Sequence, residues 1–193
     1  MHRTKPELRA EILSARRALA PALHEAEAAA LSAHLVGQVR DGDTVAAYVP
    51  IGSEPGSIEL IDGPLRMGVR VLLPVARHDA ADTPLPLQWG EYRPGGLVAA
   101  RFGLREPAEP WLPADAVAAA TVVLVPALAV DRTGVRLGRG AGFYDRTLGL
   151  ADPTAKLVAV VRDDELVDTL PAEPHDVRMT HALTPRRGLV ALG

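Results

Sequence analysis

Residues 125–148 read VPALAVDRTGVRLGRGAGFYDRTL, in which an apolar strand leads into a loop of glycines and arginines, then an aromatic pair and an acid. A strand, a tight turn and a helix start in this order are typical of open α/β folds, which bind ligands beyond the carboxyl ends of their strands. Glycine lets the backbone come close to a ligand, so amide groups of this loop could converge on one anion. We therefore predict a phosphate-binding loop whose glycines are Gly134, Gly138, Gly140 and Gly142.

Positive charge and one carboxylate accompany this loop. Arg136 and Arg139 carry guanidinium groups, and a helix expected over residues 143–150 would present its positive N-terminal end to the same anion. Asp145 could hold a magnesium ion against bound phosphates, although an acid in a first helical turn also complements the helix dipole without a metal. The spacing lacks the Lys-Ser/Thr of a Walker loop and the Gly-x-Gly-x-x-Gly of a dinucleotide site, so neither site is predicted.

The composition indicates one compact α/β unit. A chain of 193 residues is long enough for one well-filled domain over residues 1–193 and short for two. Apolar residues make up 48% and aromatic residues only 4%, so the core must consist mainly of alanine, valine and leucine. The absence of cysteine excludes disulfides and thiolate chemistry and is typical of a cytoplasmic protein.

The charge distribution favours a small anionic ligand. The net charge is −3, which argues against a nucleic-acid-binding protein because such domains usually carry a basic excess. Residues 131–146 nevertheless hold four arginines against two aspartates, so the loop is locally positive. Because no apolar run approaches the roughly 20 residues that span a bilayer, we expect a soluble protein without a membrane partner. A monomer is the default expectation.

The N-terminal helix carries a basic face. Thr4 and Glu7 have the spacing of a capping box, and apolar residues follow at helical intervals. Lys5, Arg9 and Arg16 fall near one stripe on another face, since they are separated by four and seven residues. This stripe is either an ordinary solvated surface or a contact for an anion, and the residues alone leave both possibilities open.

Apolar segments alternate with helical ones along the rest of the chain. A helix is predicted from Pro21 past Leu35, and a brief one over residues 57–65. Segments that are apolar on both faces and separated by helices are typical of a mostly parallel sheet covered on both sides, so we predict a three-layer α/β/α fold. The predicted strands are residues 44–49, 69–73, 87–92 at an edge, 121–126, 156–161 and 188–192.

Residues 134–146, GVRLGRGAGFYDR, resemble the signature of the 5-formyltetrahydrofolate cyclo-ligase family, whose members are also called 5,10-methenyltetrahydrofolate synthetases. Other segments resemble the same family in the same order, so the resemblance spans nearly the whole chain. It implies a Rossmann-like architecture that resembles the isomerase and CoA-transferase-like folds. These other segments are Lys5 to Arg9, residues 48–61 with Glu54, Phe102 to Pro107, His175 to Val177, and Leu183 with Thr184.

The resemblance implies an enzyme that converts 5-formyltetrahydrofolate to 5,10-methenyltetrahydrofolate, with ATP as co-substrate and Mg²⁺ as cofactor. Its partners would be the small molecules ATP and a reduced folate. Since the implied reaction transfers a phosphoryl group to the formyl oxygen, Arg139 is the residue expected to stabilise the charge of the transition state. The resemblance also implies that Asp145 and Asp176 bind the metal, although Asp176 could equally belong to a surface turn.

Two overlapping sets of ligand contacts follow from the resemblance. Glu54 is the candidate for folate recognition, since a carboxylate accepts hydrogen bonds from the N–H edge of a reduced pterin. Phe143, Tyr144 and Trp89 could sandwich flat rings, although aromatic residues are more often part of a core. The implied ATP contacts are Lys5, Pro6, Glu7, Leu8, Arg9, Arg136, Leu137, Gly138, Arg139, Gly140, Ala141, Gly142, Phe143 and Tyr144. The implied folate contacts are Val49, Glu54, Arg139, Gly140, Ala141, Gly142 and Phe143.

The chain departs from the family pattern in two places, and other functions stay open. Ala141 and Phe143 stand where the signature more often has glycine or lysine and a tyrosine, and His181 occupies a position that is often acidic. A non-catalytic nucleotide or folate sensor could use the same loop, because a fold does not fix its function. A CoA-transferase-like or sugar-phosphate isomerase enzyme would need a catalytic carboxylate, and the sequence marks none out.

Overall fold

The computed structural model describes residues 4–193, within which the chain forms three α-helices and twelve β-strands. The helices are α1 (Lys5–Arg17), α2 (Pro21–Val36) and α3 (Glu59–Arg66). The strands are β1 (Thr44–Ala46), β2 (Arg70–Val75), β3 (Gln88–Glu91), β4 (Leu97–Ala99), β5 (Arg105–Pro107), β6 (Val122–Pro126), β7 (Ala129–Asp131), β8 (Arg136–Leu137), β9 (Lys156–Val160), β10 (Leu166–Val167), β11 (His181–Thr184) and β12 (Gly188–Ala191). No helix of the described residues is long and apolar enough to cross a membrane.

Seven strands form the central sheet in the order β12-β11-β9-β6-β1-β2-β3. The five inner strands are parallel, and the edge strands β12 and β3 are antiparallel to their neighbours. The predicted α/β fold with a mostly parallel sheet is therefore confirmed, as is the edge position predicted for residues 87–92. Strand β1 pairs with β2, the next strand along the chain, on one side and with the later strand β6 on the other. The direction of the strand order therefore reverses at β1, and open α/β sheets bind ligands at such a switch point.

Apolar side chains cover both faces of the central sheet. On one face, α2 and α3 contribute Leu31 and Leu60, which are fully buried. The other face packs against two 3-10 helices, Ala114–Ala119 and Leu148–Leu150. Trp89 is fully buried on this second face. It therefore belongs to the core, and it is not a platform for a ligand ring.

A separate three-stranded sheet, in the order β10-β7-β8, supports α1. Leu8 and Ile12 of α1 pack on the apolar cluster that includes Leu128 and Leu137. Because β8 contains Arg136 and Leu137, the first part of the predicted loop is a strand. This small sheet therefore holds α1 next to the glycine loop, which begins where β8 ends.

The helix predicted over residues 143–150 is wrong. Residues 143–147 form turns, and only the 3-10 helix Leu148–Leu150 follows. The Thr147 hydroxyl donates to the Phe143 carbonyl oxygen at 2.6 Å and accepts from the Leu87 amide at 2.9 Å, so its bonds tie the segment to the residue that precedes β3. Within the described chain, no α-helix dipole follows the glycine loop, and anion binding there must depend on amide groups and arginines.

Candidate active site

A cleft of about 1310 Å³ opens at the carboxyl ends of β1, β2 and β6. Pockets for one small molecule commonly measure about 300–1,000 Å³, so this cleft has room for two ligands. Its walls are the segments after these strands, part of α1, the glycine loop and the tip of the β4–β5 hairpin. The sequence-predicted residues among its lining are Lys5, Pro6, Arg9, Val49, Glu54, Arg136, Leu137, Gly138, Arg139, Gly140, Ala141, Gly142, Phe143, Tyr144, Asp145 and Asp176.

Besides the buried Trp89, three predicted residues lie outside the lining within the described chain. The Glu7 carboxylate accepts from the Thr4 amide at 2.8 Å in a complete capping box, and Leu8 packs on the small sheet. Gly134 has a φ of 88°, and a Cβ at this position would come within 2.3 Å of the Met179 carbonyl oxygen. Glycine is therefore required at position 134 by packing rather than by a ligand.

The glycine loop and α1 form one continuous wall. Gly140 and Gly142 have φ values of 99° and 81°, a left-handed conformation that other residues rarely adopt. Arg9 Nε donates to the Gly138 carbonyl oxygen at 2.9 Å, and its guanidinium would lie 3.5 Å from a Cβ at Gly140. The basic stripe of α1 therefore faces the loop at this point, which decides against an ordinary solvated surface for Arg9.

The two loop arginines differ in their surroundings. Arg136 is largely buried, donates to the Pro126 carbonyl oxygen at 3.1 Å and lies 3.3 Å from the Asp145 carboxylate. The side chain of Arg139 is 51% exposed, and its Nε lies 3.4 Å from a carboxylate oxygen of Glu54. Arg139 can turn toward a ligand without breaking a buried network, whereas Arg136 cannot.

Glu54 is a largely buried acceptor at the opposite wall. It follows β1, which ends at Ala46 rather than at the predicted residue 49, so the segment between them is a loop. The carboxylate accepts from the Ile51 amide at 3.0 Å. Burial raises the pKa of the Glu54 carboxyl group, while the Ile51 amide and the Arg139 charge act in the opposite direction. A buried carboxylate with free acceptor positions suits the N–H groups of a flat heterocycle.

Asp176 lies in a cluster of charged groups at the mouth of the cleft. Lys5 Nζ lies 3.5 Å from Asp176 and 3.1 Å from Glu173. Ligand atoms of Glu173, His175 and Asp176 lie within 4.8 Å of one another, a spacing at which they could share a cation. Glu173 was not predicted, since an acid in a polar, proline-containing segment carries no pattern of its own. Asp145 lines the same cleft and has its own partner in the loop.

Aromatic side chains border the space between these walls. Phe143 and Tyr144 are partly buried, and the ring of His78 meets the Phe143 ring edge-on with 5.2 Å between centroids. Burial raises the pKa of the Tyr144 hydroxyl, which therefore stays protonated in neutral solution. Phe102, at the tip of the β4–β5 hairpin, is 79% exposed and also lines the cleft. The hairpin itself was missed, because strands of three residues leave no clear alternation in sequence.

Arg16 extends the basic stripe of Lys5 and Arg9 into the cleft floor. Its guanidinium donates twice to the Glu165 carboxylate at 2.7 Å and once to the Ala127 carbonyl oxygen at 2.7 Å. Both charged side chains of this pair are buried. The helical spacing of the sequence placed Arg16 on a basic face but gave no signal that this residue would be buried.

Comparisons with known proteins agree on one family. The model of the 5-formyltetrahydrofolate cyclo-ligase family matches residues 1–185. A 5-formyltetrahydrofolate cyclo-ligase of Mycolicibacterium smegmatis is 66% identical over 190 residues, which cover 98% of each chain. A protein of the same name from Escherichia coli is 34% identical over 146 residues, which cover 75% of this chain and 79% of the relative.

Solved structures show the same fold. The NMR structure of Aquifex aeolicus 5,10-methenyltetrahydrofolate synthetase matches with a TM-score of 0.73 and 24% identity, covering 97% of this chain and 92% of that one. The Mycoplasma pneumoniae 5,10-methenyltetrahydrofolate synthetase matches with a TM-score of 0.70 and 20% identity, covering 92% and 96%. The chain therefore belongs to the 5-formyltetrahydrofolate cyclo-ligase family of enzymes.

Proposed function

We propose that this protein converts 5-formyltetrahydrofolate to 5,10-methenyltetrahydrofolate while ATP is converted to ADP and phosphate. The contact between Arg139 and Glu54 carries this proposal, because one guanidinium adjoins both the glycine loop and the wall expected to hold the folate. A cyclo-ligase must bind its two ligands next to the same positively charged side chain. The single-domain organisation, the monomeric state and the cytoplasmic location expected from the sequence belong to the same proposal.

The proposed reaction needs little covalent catalysis by side chains. The folate amine N10 must attack the formyl carbon, and the formyl oxygen must then leave, but an amide oxygen is a poor leaving group. Transfer of the γ-phosphoryl group of ATP to this oxygen releases ADP and creates a good leaving group. Ring closure by N10 then expels the oxygen as phosphate. The protein has to align the oxygen with the γ-phosphorus and stabilise the charge that moves between them.

The nucleotide half of the cleft is proposed to lie between α1 and the glycine loop. Lys5 and Arg9 supply positive charge from α1, and residues 138–144 supply backbone donors. Arg9 already lies against the loop, so a triphosphate there would meet charge and amide groups together. Arg139 would act as the catalytic residue, since its exposed guanidinium can follow the phosphoryl group during transfer.

Magnesium fits the carboxylates of this half of the cleft. Asp145 and Asp176 would hold it, since Mg²⁺ prefers one or two carboxylate oxygens together with substrate phosphates. The ion would neutralise phosphate charge when bound. Arg136 lies 3.3 Å from the Asp145 carboxylate and Lys5 lies 3.5 Å from the Asp176 carboxylate.

Replacing Asp145 with asparagine should raise the magnesium concentration needed for half-maximal turnover by about tenfold or more, because losing even a partner of a metal ligand has an effect of this size. Turnover is measured at saturating folate over a magnesium series. Asp168→Asn is the control, because this aspartate is exposed and pairs with Arg132 on the surface. An unchanged magnesium requirement in Asp145→Asn would remove this residue from the metal site.

The folate half is proposed to lie along the segment after β1. The Glu54 carboxylate would accept hydrogen bonds from the N–H edge of the pterin, with Val49 and Phe143 beside the ring.

Glu54→Gln should raise the KM for 5-formyltetrahydrofolate by about 10–100-fold, the loss expected for hydrogen bonds to a charged group. The KM for ATP should stay near its original value.

As the pH is lowered, folate binding should weaken at a higher pH than the usual pKa of a glutamate would predict. A glutamate normally takes up its proton near a pKa of about 4.3, and burial raises the pKa of Glu54 above its usual range. Protonation removes the negative charge and turns one of the two acceptor oxygens into a donor, so the KM for the folate should rise as the pH falls through this raised pKa. Initial rates over a pH series test this expectation, and Glu54→Gln should lack the dependence. If the KM of the glutamine variant for the folate rises in the same way at low pH, the rise is due to another group.

The overall proposal is tested by mixing the protein with ATP, magnesium and 5-formyltetrahydrofolate and following the near-ultraviolet absorbance of the methenyl product. We expect product formation that requires both substrates. A non-catalytic sensor would bind both ligands without forming product. Such a result, with the protein folded, would contradict the proposed activity.

A further inference from the structure

Arg16 presents a free guanidinium edge to the floor of the cleft. It is the one buried residue of α1, all of which lies in the described part of the chain. Three of its N–H groups are accounted for by Glu165 and the Ala127 carbonyl oxygen, at 2.7 Å each. These bonds use Nε and Nη2, and Nη1 has no hydrogen-bond partner among residues 4–193.

The position of Nη1 follows from its surroundings. Every fully buried side-chain nitrogen or oxygen atom in residues 4–193 has a hydrogen-bond partner, so an unpaired Nη1 must retain contact with solvent. Arg16 is only 4% exposed, and it lines the cleft. The free edge of a nearly buried cation therefore opens into the cleft, and its orientation is fixed by the bidentate pairing with Glu165.

The same floor carries the folate wall of the cleft. Tyr48, Val49 and Glu54 follow β1, while Ala127, which Arg16 contacts, follows the adjacent strand β6. Arg16 and Glu54 both line this cleft, and the Arg16 charge lowers the pKa of the Glu54 carboxyl group against the larger effect of burial. An acceptor and a donor of fixed orientation therefore belong to the same cleft.

The pterin of a reduced folate has a matching edge. Its ring N–H and 2-amino group donate hydrogen bonds, and the carbonyl oxygen at position 4, directly beside them, accepts. A carboxylate satisfies the two donors, and a guanidinium satisfies the carbonyl oxygen. We propose that Arg16 is a specificity-determining residue whose Nη1 donates to this carbonyl oxygen while Glu54 accepts from the neighbouring N–H groups. This inference rests on the proposed function and extends it to the choice of ring.

The proposal predicts discrimination against a 4-amino analogue of the substrate. An amino group at position 4 offers a donor where the guanidinium needs an acceptor, and the neighbouring ring nitrogen loses the N–H that Glu54 would accept, so the wild-type protein should bind the 4-oxo compound about 10–100-fold more tightly. Arg16→Lys retains a positive charge for Glu165 and removes the Nη1 edge. We expect the preference of this variant for the 4-oxo compound to be smaller than that of the wild-type protein by about fivefold or more, the remainder being due to Glu54, with its affinity for Mg·ATP unchanged.

Calorimetry with 5-formyltetrahydrofolate, its 4-amino analogue and Mg·ATP measures these affinities without turnover. Arg17→Lys is the matched control, since Arg17 is the next residue of α1, is exposed and lies outside the cleft lining of the described chain. It should keep the full preference. Should Arg16→Lys fail to fold, the double variant Arg16→Met/Glu165→Met removes both buried charges and should show the same reduced preference.

The outcomes separate this inference from the proposed function. A preference for the 4-oxo compound that is undiminished in Arg16→Lys contradicts it, as does a wild-type protein without any preference. Equal weakening of all three ligands would assign Arg16 a purely structural role, and weakening of Mg·ATP alone would assign it to the phosphates; both overturn the inference. A wild-type enzyme that forms the methenyl product but binds both compounds equally would contradict this inference while leaving the proposed activity intact.

Discussion

Replacing Arg139 with alanine should lower turnover by about 10²–10³, the loss expected when one donor aimed at developing charge is removed. The guanidinium of Arg139 is half exposed and lies 3.4 Å from Glu54, so it adjoins both proposed ligand sites. Since the interaction would strengthen as charge develops, kcat and kcat/KM should fall together. Initial rates of methenyl formation at several concentrations of each substrate give both constants.

Arg132→Ala is the matched control for Arg139→Ala. Arg132 belongs to the same arginine-rich stretch, but it is exposed and pairs with Asp168 away from the cleft. Its removal should leave turnover unchanged. Wild-type turnover in Arg139→Ala would take this residue out of the mechanism, and a change confined to the folate KM would assign it to folate binding alone.

Replacing Arg16 with methionine should lower the free energy of unfolding by about 3–5 kcal/mol, because it leaves the Glu165 carboxylate buried without its counter-charge. The pair is joined by two hydrogen bonds of 2.7 Å, and both residues are buried. The same guanidinium ties α1 to Ala127, so its loss also removes a donor from a buried carbonyl oxygen. Denaturant unfolding followed by circular dichroism measures the change.

Two further variants test whether the loss of stability is specific to the buried pair or follows from the removal of any charge. Arg16→Met/Glu165→Met should recover much of the lost stability, since replacing both members of a buried pair by apolar residues is often neutral or stabilising. Arg132→Ala, which breaks an exposed pair, should change the free energy of unfolding by less than about 1 kcal/mol. A double variant as unstable as Arg16→Met would contradict the proposed cause.

The fold was predictable where local pattern and long-range packing agree. The inner strands are continuous apolar runs between helices, which suit a sheet buried on both faces, and the capping box fixes the start of α1. The segment after Gly142 was not predictable in this way. Its residues permit a helix, but Thr147 binds the Phe143 carbonyl oxygen and the Leu87 amide, and this choice depends on a backbone amide 60 residues away.

The residues of the candidate site were easier to predict than their partners. The motif and the resemblance indicate both Arg136 and Arg139, and nothing in the local sequence separates them. The fold separates them, because Arg136 reaches the Pro126 carbonyl oxygen while Arg139 remains exposed. Arg16 shows the same limit, since its burial depends on Glu165, which lies 149 residues further along the chain.

Tracing the formyl oxygen tests the central claim most directly. The enzyme is given ATP, magnesium and 5-formyltetrahydrofolate whose formyl group carries heavy oxygen, and the released phosphate is analysed by mass spectrometry. If the formyl oxygen is phosphorylated before the ring closes, each phosphate molecule should carry one heavy oxygen atom per methenyl product formed. Phosphate without the label, released at the rate of product formation, would show that water takes up the phosphoryl group and would contradict the account.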